Sequence, residues 1–273
     1  MRLELPKADK SLGQHFLRDQ NVIRNICHDF KTSSMKPEAI LEIGPGPGIL
    51  TEFLAERSKE ENLPFYVIEK DTRFPEYLKQ FISDDQITIT DALEVNLSEF
   101  FKEKKIADKN VWLVSNLPYN VGSPLLINFL QAPEIKLMTL MFQREVADKV
   151  HPFATKKNFM GSLHALSAVY FDMDLLCKVP PGAFNPPPKV DSAVLTMKRK
   201  EVPLIPLSEF RKFESFLRKV FSNKRKQLGG LLKAYYPSDK IEQLFNENNI
   251  ALTVRAEALS LEEILALYNG FKG

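Results

Sequence analysis

The chain has 273 residues, an apolar fraction of 44% and a net charge of only +2. That suits a main domain plus a smaller one around a real core. Cys27 and Cys177 are too few and too far apart in sequence for a disulfide framework, and the four scattered histidines lack metal-ligand spacing, so no metal is expected. MRLELPKADK has no apolar signal core and no run reaches membrane-spanning length, so a cytoplasmic protein with no membrane partner is expected.

Residues 7–18, KADKSLGQHFLR, are basic and irregular, with Leu12, Phe16 and Leu17 as apolar anchors. The spacing of Val22, Ile23, Ile26 and Phe30 predicts an amphipathic helix over 21–30. AILEIGPGPGIL, residues 39–50, reads as a buried strand over 40–44, a glycine turn, and a helix carried by Ile49, Leu50, Phe53 and Leu54. Alternate glycines let a ligand approach the backbone, and the new helix offers unpaired N–H groups beside the turn. The third position of a dinucleotide fingerprint would be Ile49, and no Gly-Lys-Ser/Thr ends the turn, so neither that fingerprint nor a P-loop fits. Glu42-x-Gly44-x-Gly46-x-Gly48 instead resembles motif I of S-adenosylmethionine-dependent methyltransferases.

Further strands are expected over 64–70, 87–92, 111–115 and 138–142, with helices over 71–81 and 123–130. This alternation predicts an α/β fold with a mostly parallel, doubly wound, Rossmann-like sheet. Strands over 175–179 and 190–198, joined by a proline-rich loop, suit an antiparallel hairpin at one sheet edge. After a proline-punctuated linker, helices are expected over 208–221, 224–235, 238–248 and 260–269, with Ser260 and Glu263 as a capping box. The expected domains are therefore 1–200 and a small all-helical C-terminal domain over 201–273.

Ligands of such sheets sit past the strand ends, which here carry Gly44, Glu69, Asp91 and Asn116. Glu69 is placed to accept both hydroxyl protons of a ribose, and Asp91 to accept from an adenine amino group. Asn116-Leu117-Pro118-Tyr119 matches the [DNS]-[LIP]-P-[YF] signature of enzymes that methylate an exocyclic or amide nitrogen. An adenine amino group is a poor nucleophile because its lone pair is delocalised into the ring. If the Asn116 side-chain oxygen and the Leu117 carbonyl accept its two N–H bonds, the nitrogen can pyramidalise. Pro118 restricts the backbone there, and Tyr119 offers a flat face to a flipped-out base. Phe184, in the proline-stiffened loop, is the candidate second aromatic wall; a hydrophobic plug is its other reading.

Charge is concentrated: residues 198–233 hold eleven Lys and Arg against three acids, leaving the rest of the chain net acidic. Such a segment suggests a polyanion-binding face, although a solvated helix surface is the commoner meaning of a charge run.

Taken together, KSLGQHFLRD, EIGPGPGILT, VIEKD, DALEVN, NLPYN, MFQREVADKV and PGAFNPPPKVDSAV resemble the KsgA (RsmA) family of small-subunit ribosomal RNA adenine dimethyltransferases over residues 10–270. The resemblance implies a class I methyltransferase domain that moves methyl groups from S-adenosylmethionine to N6 of two adjacent adenosines in a hairpin loop near the 3′ end of the small-subunit RNA. It assigns the cofactor to His15, Leu17, Gly44, Gly46, Glu69, Asp91, Ala92 and Asn116, and the target adenine to the space between Tyr119 and Phe184. Lys219, Lys224, Arg225 and Lys226, around a turn between helices, are the candidate grip on RNA phosphates. The implied partner is the small-subunit RNA in an immature 30S particle, met by a monomer. His15 departs from a frequent Asn, and Gly122 is expected to loosen the loop after Tyr119. Rival readings are a large-subunit RNA methyltransferase of the macrolide-resistance type, a non-catalytic assembly factor on the same fold, and a DNA adenine or protein amide methyltransferase.

Overall fold

A computed structural model describes residues 6, 13–32, 36–152 and 160–272, so the anchor read at Leu12 lies outside the described residues. The strands are β1 (Phe16–Leu17), β2 (Ala39–Ile43), β3 (Phe65–Glu69), β4 (Ile87–Ile89), β5 (Val111–Asn116), β6 (Ile135–Gln143), β7 (Phe171–Val179), β8 (Phe184–Asn185) and β9 (Ser192–Arg199). The helices are α1 (Gln20–His28), α2 (Ile49–Glu61), α3 (Pro75–Leu78), α4 (Leu97–Glu103), α5 (Gly122–Gln131), α6 (Arg144–Val150), α7 (Ser162–Ala168), α8 (Phe210–Val220), α9 (Leu228–Leu232), α10 (Ser238–Glu247) and α11 (Leu261–Lys272).

Seven strands form one sheet in the order β4-β3-β2-β5-β6-β9-β7. β4, β3, β2, β5 and β6 run parallel, and β9 runs antiparallel to β6. All five residues of β2, AILEI, are buried, as a central strand covered on both faces requires. The chain order reverses at β2, whose neighbours are β3 and β5, so the sheet has its switch point where the glycine turn leaves the strand. Behind it, Trp112 donates to Thr139, and Thr139 and Thr196 both donate to the buried Asp29 carboxylate, tying β5, β6 and β9 to the end of α1. These bonds satisfy polar groups that would otherwise be costly inside the core.

The helix expected over 71–81 shrinks to one turn, α3. The Asp71 carboxylate accepts from the Arg73 N–H and folds the chain into a turn, and Pro75 takes the first helical position. The helix expected over 224–235 shrinks to α9, which starts late because the Asn223 side chain accepts from the Arg225 N–H and holds the chain in a turn there. α4, α6 and α7 are additional to the helices that periodicity predicts; α4 is N-capped by Asn96, which accepts from the Glu99 N–H.

The chain divides into two compact units, one of Met1–His151 with Asp172–Lys200, the other of Pro152–Phe171 with Glu201–Gly273. The segment Pro152–Phe171, expected in the first domain, therefore groups with the C-terminal helices. The reason is local: α7 packs on α8, Tyr170 lies against Phe210, and the Leu204 N–H donates to the Val169 carbonyl. Within this second unit Phe213, Phe216, Tyr268 and Phe271 form an aromatic core. Ser260 and Glu263 cap α11 reciprocally, as their spacing predicts. Among the described residues no helix is long and apolar enough to cross a membrane.

Candidate active site

The turn after β2 is forced open by backbone conformation. Gly44, Gly46 and Gly48 take φ of +65°, +56° and +90°, where a side chain would be strained. The Gly46 N–H donates to Glu69 Oε2 at 2.8 Å, and the Asp71 N–H donates to Glu69 Oε1 at 2.7 Å. Glu69, at the end of β3, is buried, and burial pushes its carboxyl above the usual carboxylate range. One oxygen thus fastens the glycine turn and the other the turn after β3, and the carboxylate's four lone pairs exceed these two bonds. Asp91, just past β4, is paired with Lys70 at 2.7 Å and accepts from the Leu93 N–H, and Lys70 holds its carboxyl below the usual range.

Glu42, which the sequence marks only as part of the glycine motif, is itself a wall of the cavity. It is fully buried on β2, accepts from the Thr51 hydroxyl at 2.7 Å, and burial raises its carboxyl to about 8. An acid on a strand otherwise made of Ala, Ile and Leu is the sequence signal that distinguishes it.

Asn116 ends β5. Its Nδ2 donates to the His15 carbonyl at 3.2 Å, which leaves Oδ1 as the end of the amide available to a ligand N–H. Pro118 packs beside Gly44, and its carbonyl accepts from the Val121 N–H, closing a turn that presents Tyr119. The Tyr119 hydroxyl meets the buried Ser192 hydroxyl at 2.7 Å, and burial pushes the phenol up. Ser192 stands in the sequence motif without an expected role; its position at the start of β9, next to β6, is what brings it to Tyr119. The His15 ring stacks on Tyr119, centroids 5.2 Å apart and planes 29° apart, and its Nδ1 donates to the Pro186 carbonyl at 2.9 Å. Imidazole therefore retains only Nε2 for a ligand.

One cavity gathers His15, Leu17, Gly44, Gly46, Glu69, Asp91, Ala92, Asn116, Leu117, Pro118 and Tyr119. Phe184 is not on it. Its side chain is 1% exposed in the hydrophobic core, because β8 pairs with β1 and sets Phe184 opposite Leu17. In this structure Phe184 therefore packs as the hydrophobic plug of its other reading. Gly122 opens α5, and a Cβ there would meet Phe142 at 3.4 Å, an ordinary contact distance. Cys177 is half-buried, and burial raises its thiol to about 11, which disfavours the thiolate.

In the second unit Lys219 lies on α8, Lys224 pairs with Glu257 at 3.0 Å, and Arg225 and Lys226 are exposed between α8 and α9.

The residues fit S-adenosylmethionine. The glycine cradle admits a ligand against bare backbone, the Glu69 carboxylate suits vicinal hydroxyls, and Asp91 suits an adenine amino group. A parallel sheet with an antiparallel β9, a glycine cradle at its switch point and Asn-Leu-Pro-Tyr on the neighbouring strand end define a class I, S-adenosylmethionine-dependent nitrogen methyltransferase. The sequence profile described as Ribosomal RNA adenine dimethylase matches residues 6–272, and the chain belongs to that family. It is 34% identical over 261 residues to the Ribosomal RNA small subunit methyltransferase A of Malacoplasma penetrans, covering 95% of this chain and 90% of that protein. It is 35% identical over 266 residues to the protein of the same name from Clostridium perfringens, covering 96% and 90%. Among solved structures, the 23S rRNA methyltransferase ErmE superposes with a TM-score of 0.68 at 25% identity, over 94% of this chain and 100% of that one. A dimethyladenosine transferase from Plasmodium falciparum has the same fold, with a TM-score of 0.73 at 24% identity over 94% and 98%.

Proposed function

We propose that this chain transfers methyl groups from S-adenosylmethionine to N6 of two adjacent adenosines in the 3′-terminal hairpin loop of small-subunit (16S) ribosomal RNA, giving dimethyladenosine at each. In this reading it works in the cytoplasm as a monomer on an immature 30S particle during small-subunit maturation. The family and the small-subunit relatives named above support this target over a large-subunit one.

The observation that carries the mechanism is the direction of the Asn116 amide. With Nδ2 committed to the His15 carbonyl, Oδ1 accepts one N–H of the target amino group, and the Leu117 carbonyl accepts the other. The nitrogen lone pair is thereby freed from the ring and aimed into the cavity. Tyr119, held by Ser192, supplies the stacking face for the flipped base. Bound S-adenosylmethionine would supply an electrophilic methyl group, its sulfonium sulfur leaving as the neutral thioether of S-adenosylhomocysteine. Positioning of the two reactants is the main contribution of the protein. The methylated nitrogen is acidic and gives its proton to water, so no dedicated general base is needed. Lys219, Lys224, Arg225 and Lys226 grip RNA phosphates, Lys224 exchanging Glu257 for phosphate as it does so.

Mass mapping of methylated adenosines tests the reading, after incubating the enzyme and labelled cofactor with unmethylated 30S particles or with protein-poor large-subunit RNA. Two adjacent dimethylated adenosines in the small-subunit loop are expected. Label confined to large-subunit RNA, or retained RNA binding without label, would overturn it.

A further inference from the structure

The helical unit carries a second feature that the methyl-transfer site does not use. A cleft of about 670 Å³ opens between α8 and α11, with Lys212, Lys219, Tyr236, Phe271 and Lys272 on its walls. Lys212 and Lys219 stand two helical turns apart on one face of α8, about 10 Å along its axis. Tyr236 stacks on Phe271 at 4.0 Å between centroids, and Lys219 Nζ lies 5.1 Å from the Tyr236 ring centre and 5.3 Å from that of Tyr235. Tyr235 is 47% exposed. The one acid on the walls, Glu209, is already engaged by Lys272 at 2.8 Å and by the Tyr268 hydroxyl at 2.9 Å. What is left facing solvent is cationic and aromatic together.

We propose that this cleft and the exposed Tyr235 ring beside it form a binding site for single-stranded RNA, with an unpaired base stacked on Tyr235 and the flanking phosphates held by Lys212 and Lys219. A nucleotide satisfies both halves of the surface, since every base has a π-face and every link a negative charge. An acidic peptide would satisfy only the lysines. Lys219 is held by two aromatic rings, so it meets a phosphate without first being ordered. The inference rests on the reading of this chain as an RNA-acting enzyme and adds a contact outside the cavity that holds the reacting groups.

The test is fluorescence anisotropy of a labelled octauridylate with the full-length chain. Tyr235→Ala is expected to weaken binding at least about fivefold, and Tyr235→Phe to retain it, because stacking rather than the hydroxyl is lost. Lys212→Gln with Lys219→Gln should lower the slope of log K against log salt by about 1.4, the value for two phosphates on a single strand. Photocrosslinking of a 4-thiouridine probe should mark the peptide that holds Tyr235 and Tyr236. Unchanged affinity in Tyr235→Ala, or displacement by octaglutamate as effective as by unlabelled octauridylate, would overturn the proposal. The same wild-type preparation is assayed for methylation of small-subunit RNA. Methylation with Tyr235-independent binding sinks the cleft alone; Tyr235-dependent binding without methylation upholds the cleft and sinks the assigned target.

Discussion

The Asn116 side-chain amide donates to the His15 carbonyl, joining two residues 101 positions apart in the chain. A carbonyl can only accept, so this bond decides which end of the amide faces a substrate. Asn116→Ala is expected to lower single-turnover methyl transfer by about a hundredfold or more, the scale seen when one polar group aimed at a reacting centre is removed. Cofactor affinity should change far less. Equal losses in both would mean that Asn116 acts on the cofactor instead.

Glu69 binds the glycine turn through Gly46 and the next turn through the Asp71 N–H. Glu69→Ala leaves both N–H groups unpaired and removes the acceptor for ribose hydroxyls. Calorimetry should show S-adenosylmethionine affinity reduced by at least about tenfold, since ribose hydroxyls left without their charged acceptor on binding cost about 1–3 kcal/mol. Unaltered affinity would place the ribose elsewhere.

Glu42 gives a pH signature. Burial holds its carboxyl at about 8, so the folded chain binds a proton that the unfolded chain releases in the ordinary carboxylate range. Stability from this group is fully present in acid and falls as pH climbs from that range toward 8. Glu42→Gln keeps an acceptor for Thr51 without the ionisation. Its melting temperature should match wild type near pH 5 and exceed it near pH 8.5; parallel curves across that range would show that Glu42 is ionised at neutral pH.

Phe184 and Tyr119 should separate stability from turnover. Phe184→Ala empties a core position and is expected to cost about 3–5 kcal/mol in denaturant unfolding. Tyr119→Phe loses only the Ser192 bond, about 1 kcal/mol, and keeps the stacking face, so it should keep most of its turnover. A stable Phe184→Ala protein with abolished methyl transfer would restore the aromatic wall.

Arg225 and Lys226 lie exposed between α8 and α9. Changing both to Gln should weaken RNA binding, more at low salt than at high, with cofactor affinity intact. An equal fall in cofactor affinity would remove them from the RNA grip.

Much of this protein is legible in its amino-acid order. Local rules act within a few residues, so the buried run of β2, the glycine turn, the Ser260–Glu263 cap and the polar residues at the ends of β3, β4 and β5 are legible from the order of residues. Where a short-range competitor intervenes, pattern misleads: the Asp71 and Asn223 turns truncate helices that periodicity extends. The amide direction of Asn116, the bond from Tyr119 to Ser192 and the joining of Pro152–Phe171 to the C-terminal helices are decided by the tertiary structure. So is the packing of Phe184, whose strand pairs opposite Leu17 and sets its ring in the core. Sequence specifies which side chains each strand end carries. Only the packed sheet, by bringing segments 70 to 170 residues apart into contact, determines which of their atoms remain free to meet a ligand.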